Sequence, residues 1–382
     1  MKRIPTPPRP DWQLKVEKLG FAYHTLDDTY WDESAYYQFS MAQVNELEAA
    51  TAELYDMCLA AVQHVIDHDK YDLLQIPRRF IPFIEQSWND DAPAIYSRFD
   101  LAYDGINPPK MLEYNADTPT SLFEASIIQW FWLQDKDPAL DQFNSIHEKL
   151  IAYWKYLEEY LHPGTLYFSC VKDNVEDLVT TEYLRDCAIQ AGLQTDFLYT
   201  EDIGYDDILN GFIDLDNLSI RNIFKLYPWE WMINEAFADK LLTDTKATFW
   251  IEPPWKMILS NKGILPILYE LYPYHKNLLP AYFDDSAFKA MGEDYIIKPL
   301  LSREGANIRI VKGGAIAQET DGDYGEEGFI YQQLNPLPLF DGNYPVIGSW
   351  IIGQEAAGIG IRESKTLITD NTSRFVPHLI KD

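Results

Sequence analysis

The sequence predicts a mixed α/β or α+β fold, and three observations support that prediction. Two segments with alternating polar and apolar residues, 96–100 and 110–117, flank a turn rich in Gly, Asn and Pro. An apolar strand, a helical segment and a second strand follow one another near 163–200, which is the order of a βαβ unit. From about residue 294 onward, short strand patterns alternate with glycine-containing turns.

Composition and charge limit the classes of function. The chain has 382 residues, 47% of them hydrophobic and 14% aromatic, which is enough to bury a large core shared by several subdomains. The formal net charge of −29 argues against nucleic acid and anionic membrane surfaces as partners, because like charges repel. The same charge favours a cationic substrate such as a polyamine, although it also serves solubility.

The cysteines and the N-terminal segment predict a cytoplasmic protein. Cys58, Cys170 and Cys187 lie far apart in the sequence and form no CxxC pair, as expected in a reducing compartment. The charged residues at the start of the chain are not followed by the apolar run of a signal peptide. No window approaches the roughly 20 apolar residues that a membrane-spanning helix needs.

Caps and periodicity predict several helices. Ser40 begins a capping-box pattern ahead of a long amphipathic helix near 40–68. Apolar residues at helical spacing predict a second helix over 145–161, and Ser260 is interpreted as the N-cap of a third. Pro228 follows a predicted strand and suits the first turn of a short helix.

The first pair of predicted strands carries a candidate metal site. Period 2 sends Arg98 and Asp100 to one face of their strand, and it sends Glu113, Asn115 and Asp117 to one face of the next. Carboxylate and amide oxygens suit Mg²⁺, which usually takes one or two carboxylates and leaves its other positions to water and phosphate. The alternative is that these polar residues form the solvated face of an ordinary hairpin.

The segment after this hairpin favours an anionic ligand. Small hydroxyl and turn residues fill 115–121, where a strand ends, and Glu124 then opens an aromatic helix. A strand, a polar turn and a helix N-terminus in that order form a favourable place for an anion.

A second group of polar residues lies near the C-terminus. Lys298 ends an apolar strand, where a buried lysine is costly without an anion beside it. The following loop, 301–307, contains Arg303 and Gly305 and is interpreted as folding over a polyphosphate. The alternatives are a strand-end lysine that reaches solvent and an ordinary hairpin. Lys262, interpreted as lying in the first turn of a helix, also indicates an anion because the helix dipole disfavours a cation there.

Arginines and amides complete this group. Arg98, Arg303 and Arg362 are candidates for stabilising developing negative charge. Gln332 and Gln333, where a strand enters a linker, are candidates for reading an adenine edge. The sequence contains no Walker-type motif, no GxGxxG after a strand, no HExxH and no GxSxG, so hydrolysis by a serine or cysteine triad is poorly supported.

These residues belong to longer motifs that follow one another along nearly the whole chain. The motifs are Tyr-Ser-Arg-Phe-Asp at 96–100, Leu-Glu-Tyr-Asn-Ala-Asp-Thr at 112–118, Tyr-Pro-Trp-Glu-Trp at 227–231, Ser-Asn-Lys at 260–262, Ile-Lys-Pro-Leu-Leu-Ser-Arg-Glu-Gly-Ala-Asn at 297–307 and Gly-Ile-Gly-Ile-Arg at 358–362. Together they resemble the synthetase domain of glutathionylspermidine synthase, an ATP-grasp carboxylate–amine ligase. The resemblance is closest to short, stand-alone bacterial homologues that lack the amidase domain.

The resemblance implies an ATP-grasp-like fold with an interleaved pre-ATP-grasp substrate domain. Residues 1–245 are expected to form an N-terminal region with metal and substrate elements, and 246–382 a nucleotide-binding region. The implied activity joins a carboxylate to an amine through an acyl phosphate, with ATP and Mg²⁺ as cofactors. The implied partners are small molecules, namely a carboxylate such as a thiol peptide and a cationic amine such as a polyamine.

The resemblance also implies roles for individual residues. It places magnesium ligands at Asp100, Glu113 and Asn115, and catalytic arginines at Arg98, Arg303 and Arg362. The residues expected to contact the nucleotide are Lys262, Lys298, Ser302, Gly305, Ala306, Asn307, Gln332, Gln333 and Leu334. Those expected to contact substrate are Thr120 and Ser121, at the thiol peptide, and Glu230, near the amine.

One segment departs from the family pattern. The family typically has a cysteine–histidine pair after the Asn-Ala-Asp-Thr run, whereas this chain has Pro119-Thr120-Ser121-Leu122. The identity of the acid therefore stays open. Two alternatives follow: a ligase for a different acid and amine, or an ATP-binding regulatory protein without ligase activity.

Overall fold

The computed structural model describes residues 1–25, 29–244, 247–368 and 373–382. The α-helices are α1 (Trp12–Glu17), α2 (Met41–Asp67), α3 (Ile81–Asn89), α4 (Gln129–Lys136), α5 (Ile146–Leu157), α6 (Val175–Gln190), α7 (Trp229–Met232), α8 (Ala238–Thr243), α9 (Lys256–Leu259), α10 (Ile264–Leu271) and α11 (Ser286–Met291). Short 3₁₀ turns lie at Lys70–Leu74, Arg78–Phe80 and Thr200–Asp202, and a π-helical turn at Glu124–Ile128 leads into α4.

The strands alternate with these helices in the first two thirds of the chain and dominate the last third. They are β1 (Lys2–Pro5), β2 (Ala35–Phe39), β3 (Tyr96–Ala102), β4 (Lys110–Asn115), β5 (Leu166–Cys170), β6 (Thr195–Tyr199), β7 (Gly204–Asp206), β8 (Gly211–Ile213), β9 (Asn222–Leu226), β10 (Phe249–Ile251), β11 (Ala281–Tyr282), β12 (Tyr295–Pro299), β13 (Arg309–Lys312), β14 (Ala315–Glu319), β15 (Phe329–Gln333), β16 (Tyr344–Ile352), β17 (Glu355–Ser364), β18 (Arg374–Phe375) and β19 (His378–Ile380).

Within the described residues, these strands form five sheets. The central sheet is antiparallel, in the order β18-β17-β16-β3-β4, and the C-terminal sheet is antiparallel, in the order β11-β15-β12-β13-β14. A parallel sheet has the order β10-β9-β5-β6. Two smaller sheets have the orders β1-β2-β19 and β7-β8.

Helix α2 covers one face of the central sheet. The capping box that the sequence predicts is present, because the Ser40 hydroxyl accepts from the Gln43 main-chain N–H and the Gln43 side chain accepts from that of Ser40. The apolar side of α2 packs into the main core, and Thr51 Oγ1 lies 2.6 Å from Ser349 Oγ on β16. The opposite face carries Arg98 and Asp100 and, toward the start of β3, apolar side chains of a second core such as Tyr96 and Trp350.

The parallel sheet is joined to the edge of the central sheet by a buried carboxylate. Glu252, directly after β10, accepts hydrogen bonds from the main-chain N–H groups of Ile95 and Tyr96 at 3.0 Å. Lys256 pairs with Glu252 and donates to the Tyr96 oxygen at 2.6 Å. A buried ion pair persists only when its remaining polar atoms are also bonded, and here they hold the start of β3 in place.

The structure confirms most of the predicted elements. The hairpin is β3 and β4, the βαβ unit is β5-α6-β6, and the chain from 294 onward is mostly strand. The helix predicted over 145–161 is shorter than expected, since α5 ends at Leu157 and the chain continues in tight turns. The domain boundary predicted between 245 and 246 falls on residues outside the described part of the chain.

The start of one helix was predicted wrongly. Ser260 ends the short helix α9 instead of capping the next, and α10 begins at Ile264 with Gly263 before it. The reason is local, because the Asn261 side chain accepts a hydrogen bond from the Gly263 N–H at 2.8 Å and stabilises a turn. Lys262 therefore lies in that turn and not in the first turn of a helix.

In the described residues, no helix combines the length and the apolar character required to cross a membrane.

Candidate active site

A cleft lies between the polar face of the central sheet and the C-terminal sheet. Its volume is about 1390 Å³, counting the space that is open to solvent. The predicted site residues that line it are Arg98, Asp100, Glu113, Asn115, Thr120, Glu230, Lys262, Lys298, Ser302, Arg303, Gly305, Leu334 and Arg362. Ser121, Ala306, Asn307, Gln332 and Gln333 do not line it. Residues that are more than 200 positions apart in the sequence thus meet in one cavity.

Two arginines hold one carboxylate on the floor of the cleft. Arg98 Nε lies 2.7 Å from Asp100 Oδ1, and Arg362 Nη2 lies 3.1 Å from Asp100 Oδ2. Burial raises the pKa of the Asp100 carboxyl, but the charges of Arg98 and Arg362 outweigh it and hold the pKa below its usual value. The charged form of the carboxylate is therefore the one that its surroundings favour.

The strand register places the oxygen ligands side by side. Asp100 faces Glu113 across β3 and β4, and Arg98 faces Asn115. The Asn115 amide is oriented with its nitrogen toward Glu113 and its oxygen toward Arg98, because only this orientation satisfies both groups. The nitrogen then donates to Glu113 Oε1 at 3.0 Å, and the oxygen accepts from Arg98 Nη2 at 3.3 Å. Two carboxylates and one amide thus share a corner of the cleft, as the alternating pattern predicted.

A glycine on the neighbouring strand leaves room for Arg98. Gly348 of β16 faces Asp100 in the register, and a Cβ atom at this position would lie 2.9 Å from Arg98 Cδ. Arg98 cannot easily move away, because its Nη1 donates to the Thr120 oxygen at 2.6 Å while Nε bonds Asp100.

Two lysines line the cleft near the C-terminal sheet. Lys298 Nζ donates to the Leu112 oxygen and to Gln332 Oε1, both at 2.8 Å. Burial lowers the pKa of Lys298 to about 8. Lys262 Nζ donates to the Ser302 oxygen at 2.5 Å and lies 3.5 Å from Glu113 Oε1.

The loop after β12 closes over these groups. Arg303 Nη1 donates to Thr118 Oγ1 and Nη2 to Glu230 Oε1, both at 2.9 Å, and the guanidinium lies over the Trp231 ring. Gly305 has φ of +71°, in the left-handed region that glycine adopts freely. Ala306 and Asn307 lie outside the cavity lining, and the Asn307 side chain fixes the loop by donating to the Gly322 oxygen at 2.8 Å.

One wall of the cleft is apolar. It is lined by Ile296, Leu301, Ile308, Ile310, Leu334, Leu337, Val346, Leu367 and Ile368. Leu334 lies here as expected, whereas the Gln332 amide bonds Lys298 and the Met111 oxygen and the Gln333 amide bonds Glu293. The sequence did not indicate this wall, because isoleucines on a strand are the usual core residues.

The segment that contains Thr120 and Ser121, predicted to contact the acid substrate, is fixed by hydrogen bonds beneath the cleft. Ser121 lies under the cleft with φ of +67°, and its hydroxyl is 3.0 Å from the Tyr30 hydroxyl, which donates to Glu124 at 2.7 Å. Thr120 lines the cleft and hydrogen-bonds Glu176 at the start of α6. Burial raises the pKa of Glu124 to about 7, with the charge of Glu176 as the second cause.

Unsatisfied polar atoms indicate a polar ligand. Within the described residues, Ser302 Oγ, Arg303 Nε and Glu230 Oε2 are buried without a hydrogen-bond partner, and all three residues line the cleft. Buried polar groups are normally bonded, so an incoming group with both donors and acceptors would satisfy them. No group of three or more His, Cys, Asp or Glu side chains in the described part of the chain has a metal-binding arrangement. Magnesium bound through phosphate needs only one or two carboxylates, which Asp100 and Glu113 supply.

Comparison with known proteins assigns the family. A family model described as "Glutathionylspermidine synthase preATP-grasp" matches residues 3–381. The chain belongs to this family. A relative from Haemophilus influenzae, named "Putative acid--amine ligase", is 41% identical and is matched over 99% of both chains.

Two further members of the glutathionylspermidine synthase preATP-grasp family are longer than this chain. The trypanothione synthetase of Crithidia fasciculata is 32% identical over 86% of this chain and 54% of its own length. The bifunctional glutathionylspermidine synthetase/amidase of Escherichia coli K12 is 28% identical over 90% of this chain and 59% of its own length. These relatives support a ligase of the glutathionylspermidine synthase type.

A solved structure has the same fold. The glutathione synthetase-like effector GSS30 of Globodera pallida, in its apoform, aligns with a TM-score of 0.56 over 90% of this chain and 89% of its own, at 10% identity. This member of the glutathionylspermidine synthase family thus has a mixed α/β, ATP-grasp-like fold, as expected from its sequence.

Sequence reasoning missed several residues around the cleft of this family member. Asp117 was seen as a possible ligand, but its partner Lys225, 2.8 Å away, carries no local signal. Glu176 and Asp177 lie in the first turn of α6 and were not singled out from the sequence, because acidic residues are common there. Burial raises the pKa of Asp177 to about 7, with the charge of Glu176 adding to the effect.

Proposed function

We propose that this protein is an ATP- and Mg²⁺-dependent carboxylate–amine ligase that forms an amide through an acyl phosphate. The observation that supports this most is the convergence of Arg98, Arg362, Lys262 and Lys298 around the carboxylates of the central sheet. Cations and hard oxygen ligands together suit a transferred phosphoryl group and its metal, and phosphoryl transfer requires positioning and charge stabilisation more than a protein nucleophile.

The proposal assigns the binding of the nucleotide and metal to residues of two sheets. Asp100, Glu113 and Asn115 would hold Mg²⁺, while Lys262 and Lys298 would bind the phosphates. The apolar wall around Leu334 would take the adenine. Bound magnesium would neutralise charge on the phosphates and lower the cost of bringing an anionic carboxylate near them.

In the proposed reaction, a carboxylate oxygen of the acid forms a bond to the γ-phosphorus of ATP, and ADP leaves. The nitrogen of a neutral amine then forms a bond to the acyl carbon, phosphate leaves with the C–O bond electrons, and the nitrogen loses a proton. Arg98 and Arg362 would stabilise the negative charge that gathers on the transferred oxygens. No serine or cysteine nucleophile is required.

The loop carrying Arg303 would keep water from the acyl phosphate. Arg303 of this loop hydrogen-bonds Thr118 and Glu230, which also line the cleft. The loop would cover the intermediate while these contacts are kept. Excluding water prevents hydrolysis of a reactive intermediate.

The substrates would be small molecules. A cationic amine would lie near the carboxylates of Glu230, Glu176 and Asp177, and an acid such as a thiol peptide would lie beside Thr120, with Ser121 beneath. We also propose a cytoplasmic location, where ATP is abundant and buried thiols such as Cys58 stay reduced.

The test is ADP release from purified protein with Mg²⁺ and ATP against a grid of acids and amines. The expected result is release only when one acid and one amine are present together, with the amide identified by mass spectrometry. ATP binding without release anywhere on the grid would contradict the proposal and favour a nucleotide-binding regulatory protein. ADP release with an acid and an amine other than a thiol peptide and a polyamine would support the proposed reaction but assign different substrates to it.

A further inference from the structure

A second pocket, which we call the aromatic pocket, lies away from the cleft. It has a volume of about 840 Å³, counting space open to solvent, and shares no lining residue with the cleft. Its walls come from α2, from α3 and the segment after it, from α5 and the turn after it, from the residue before α9 and from the β16–β17 turn. Helix α2 packs on the face of the central sheet opposite to Arg98, whereas Tyr153 of α5 packs against the core that contains Trp350.

The walls of the aromatic pocket are rings held in fixed positions. Trp88 and Trp255 meet edge to face with centroids 5.3 Å apart, and the Trp88 indole N–H donates to Gln63. On the other side, the Tyr156 ring packs at a tilt against the rings of Tyr153 and Tyr160, with centroids 5.4 and 5.3 Å apart. The rings are thus arranged before any ligand arrives, which reduces the entropy lost on binding.

The polar groups of the pocket are all neutral or negative. Among the described residues that line it there is no Lys, Arg or His, and the one charged side chain is Asp91. Its carboxylate forms no hydrogen bond or ion pair within the described part of the chain, and its charge acts on the hydroxyl of Tyr160. Tyr55, only 4% exposed, and Tyr153 line the pocket, and their hydroxyls have no hydrogen-bond partner among the described residues.

We propose that the aromatic pocket is a binding site for a small organic cation, such as a quaternary ammonium or a protonated aliphatic amine. Ring faces attract a cation through their quadrupoles, and desolvation in a pocket strengthens that attraction. The Asp91 carboxylate supplies the opposite charge, and the free hydroxyls of Tyr55 and Tyr153 accept hydrogen bonds from N–H groups. An anion would meet only repulsion here, since the protein has a net charge of −29.

The experiment compares three probes in titrations of the full chain followed by NMR. Choline is the quaternary cation, 1,4-diaminobutane is the protonated amine, and 3,3-dimethylbutan-1-ol is the neutral isostere of choline. Choline cannot be acylated at nitrogen, so it separates binding in this pocket from use as a ligase substrate. We expect both cations to bind with saturation and the neutral alcohol to bind about fivefold or more weakly, the discrimination that a cation–π site provides.

Two adjacent aspartates give a matched pair of variants. Asp91 has φ of +49°, a conformation that asparagine also adopts, so Asp91→Asn removes the charge without straining the backbone. Asp90→Asn removes the same charge one residue away, outside the pocket lining. Asp91→Asn should raise the dissociation constant of choline about fivefold, and Asp90→Asn should leave it nearly unchanged.

A ring variant completes the test. Tyr156→Leu keeps an apolar side chain at a residue that is 47% exposed, so folding should persist, and it should weaken choline binding while ADP release in the ligase assay stays unchanged. Three results would each overturn the proposal: no saturable binding of either cation, equal binding of choline and the neutral alcohol, or equal effects of Asp90→Asn and Asp91→Asn. Loss of this site would leave the proposed ligase reaction untouched, because the two cavities share no residue.

Discussion

Lys298 Nζ lies 2.8 Å from the main-chain oxygen of Leu112, so the ammonium group of a lysine on β12 joins the C-terminal sheet to the central sheet. The same group donates to Gln332, and within the described residues no carboxylate forms an ion pair with it. The charges of Glu113 and Asp100 act on this cation only from a distance, and burial outweighs them. A phosphate entering the cleft would supply a closer counter-charge.

The first prediction concerns proton uptake on nucleotide binding. The pKa of Lys298 is lowered to about 8 by burial, so near pH 8 about half of the free protein carries a neutral lysine. Phosphate favours the charged form, so binding of Mg²⁺-ATP should take up a proton, with the uptake growing as pH rises through 8. ATP affinity should fall over the same pH range.

Calorimetry in two buffers with different ionisation enthalpies measures this uptake. Lys298→Arg is the matched variant, since an arginine remains charged across the range and should abolish the uptake. Equal proton uptake in the wild type and in Lys298→Arg would show that another group is responsible.

The second prediction tests the metal ligands. Glu113→Ala should reduce Mg²⁺-dependent ADP release by about 10²-fold or more, because a metal contributes several kcal/mol of charge stabilisation. The protein should stay folded, since the Glu113 side chain is 23% exposed and its one ion pair with Lys262 spans 3.5 Å. Glu48→Gln, an exposed carboxylate on α2, is the control and should leave activity unchanged. Unchanged ADP release in Glu113→Ala would refute the assignment.

The hairpin at the centre of the site was predictable because its information is local. Alternation predicts which residues share a face, whereas the register of Asp100 with Glu113 also depends on an irregularity between Asp100 and Leu101 that the pattern does not contain. The long helix α2 was predictable for the same reason, since its capping box spans only four residues.

Other parts of the site depend on contacts that no local pattern contains. The bond between Lys298 and Leu112 joins residues 186 positions apart, so the lysine was predictable from its strand but its partner was not. The start of α10 was misjudged because a side-chain hydrogen bond of Asn261 competes with helix capping. The aromatic pocket gathers its rings from four segments, and each ring alone resembles an ordinary core residue.

The third prediction concerns the space beside Arg98. Gly348→Ala would place a methyl group 2.9 Å from Arg98 Cδ, and the bonds of Arg98 to Asp100 and Thr120 oppose its displacement. We expect a stability loss of about 1–3 kcal/mol and a clear fall in kcat of ADP release. Urea unfolding and steady-state kinetics measure the two effects. A wild-type kcat in Gly348→Ala would show that the position of Arg98 does not limit the reaction.

The fourth prediction concerns the buried pair of Asp117 and Lys225, which fixes the chain at the end of the β3–β4 hairpin. Lys225 Nζ lies 2.8 Å from Asp117 Oδ1, and the Trp229 main-chain N–H donates to Oδ2 at 2.8 Å, just before Glu230. Lys225→Met leaves the carboxylate buried with one remaining partner, so it should lower the free energy of unfolding by about 3–5 kcal/mol.

The double variant Asp117→Asn/Lys225→Met separates charge from packing. Asparagine can still accept the Trp229 N–H, and neither buried charge remains, so the double variant should be more stable than Lys225→Met alone. Arg78→Met, which breaks an exposed pair with Asp69, is the control and should leave the free energy of unfolding nearly unchanged. The free energy of unfolding of Asp117→Asn alone completes the cycle. If the double variant loses as much free energy of unfolding as the two single variants lose together, Asp117 and Lys225 act independently.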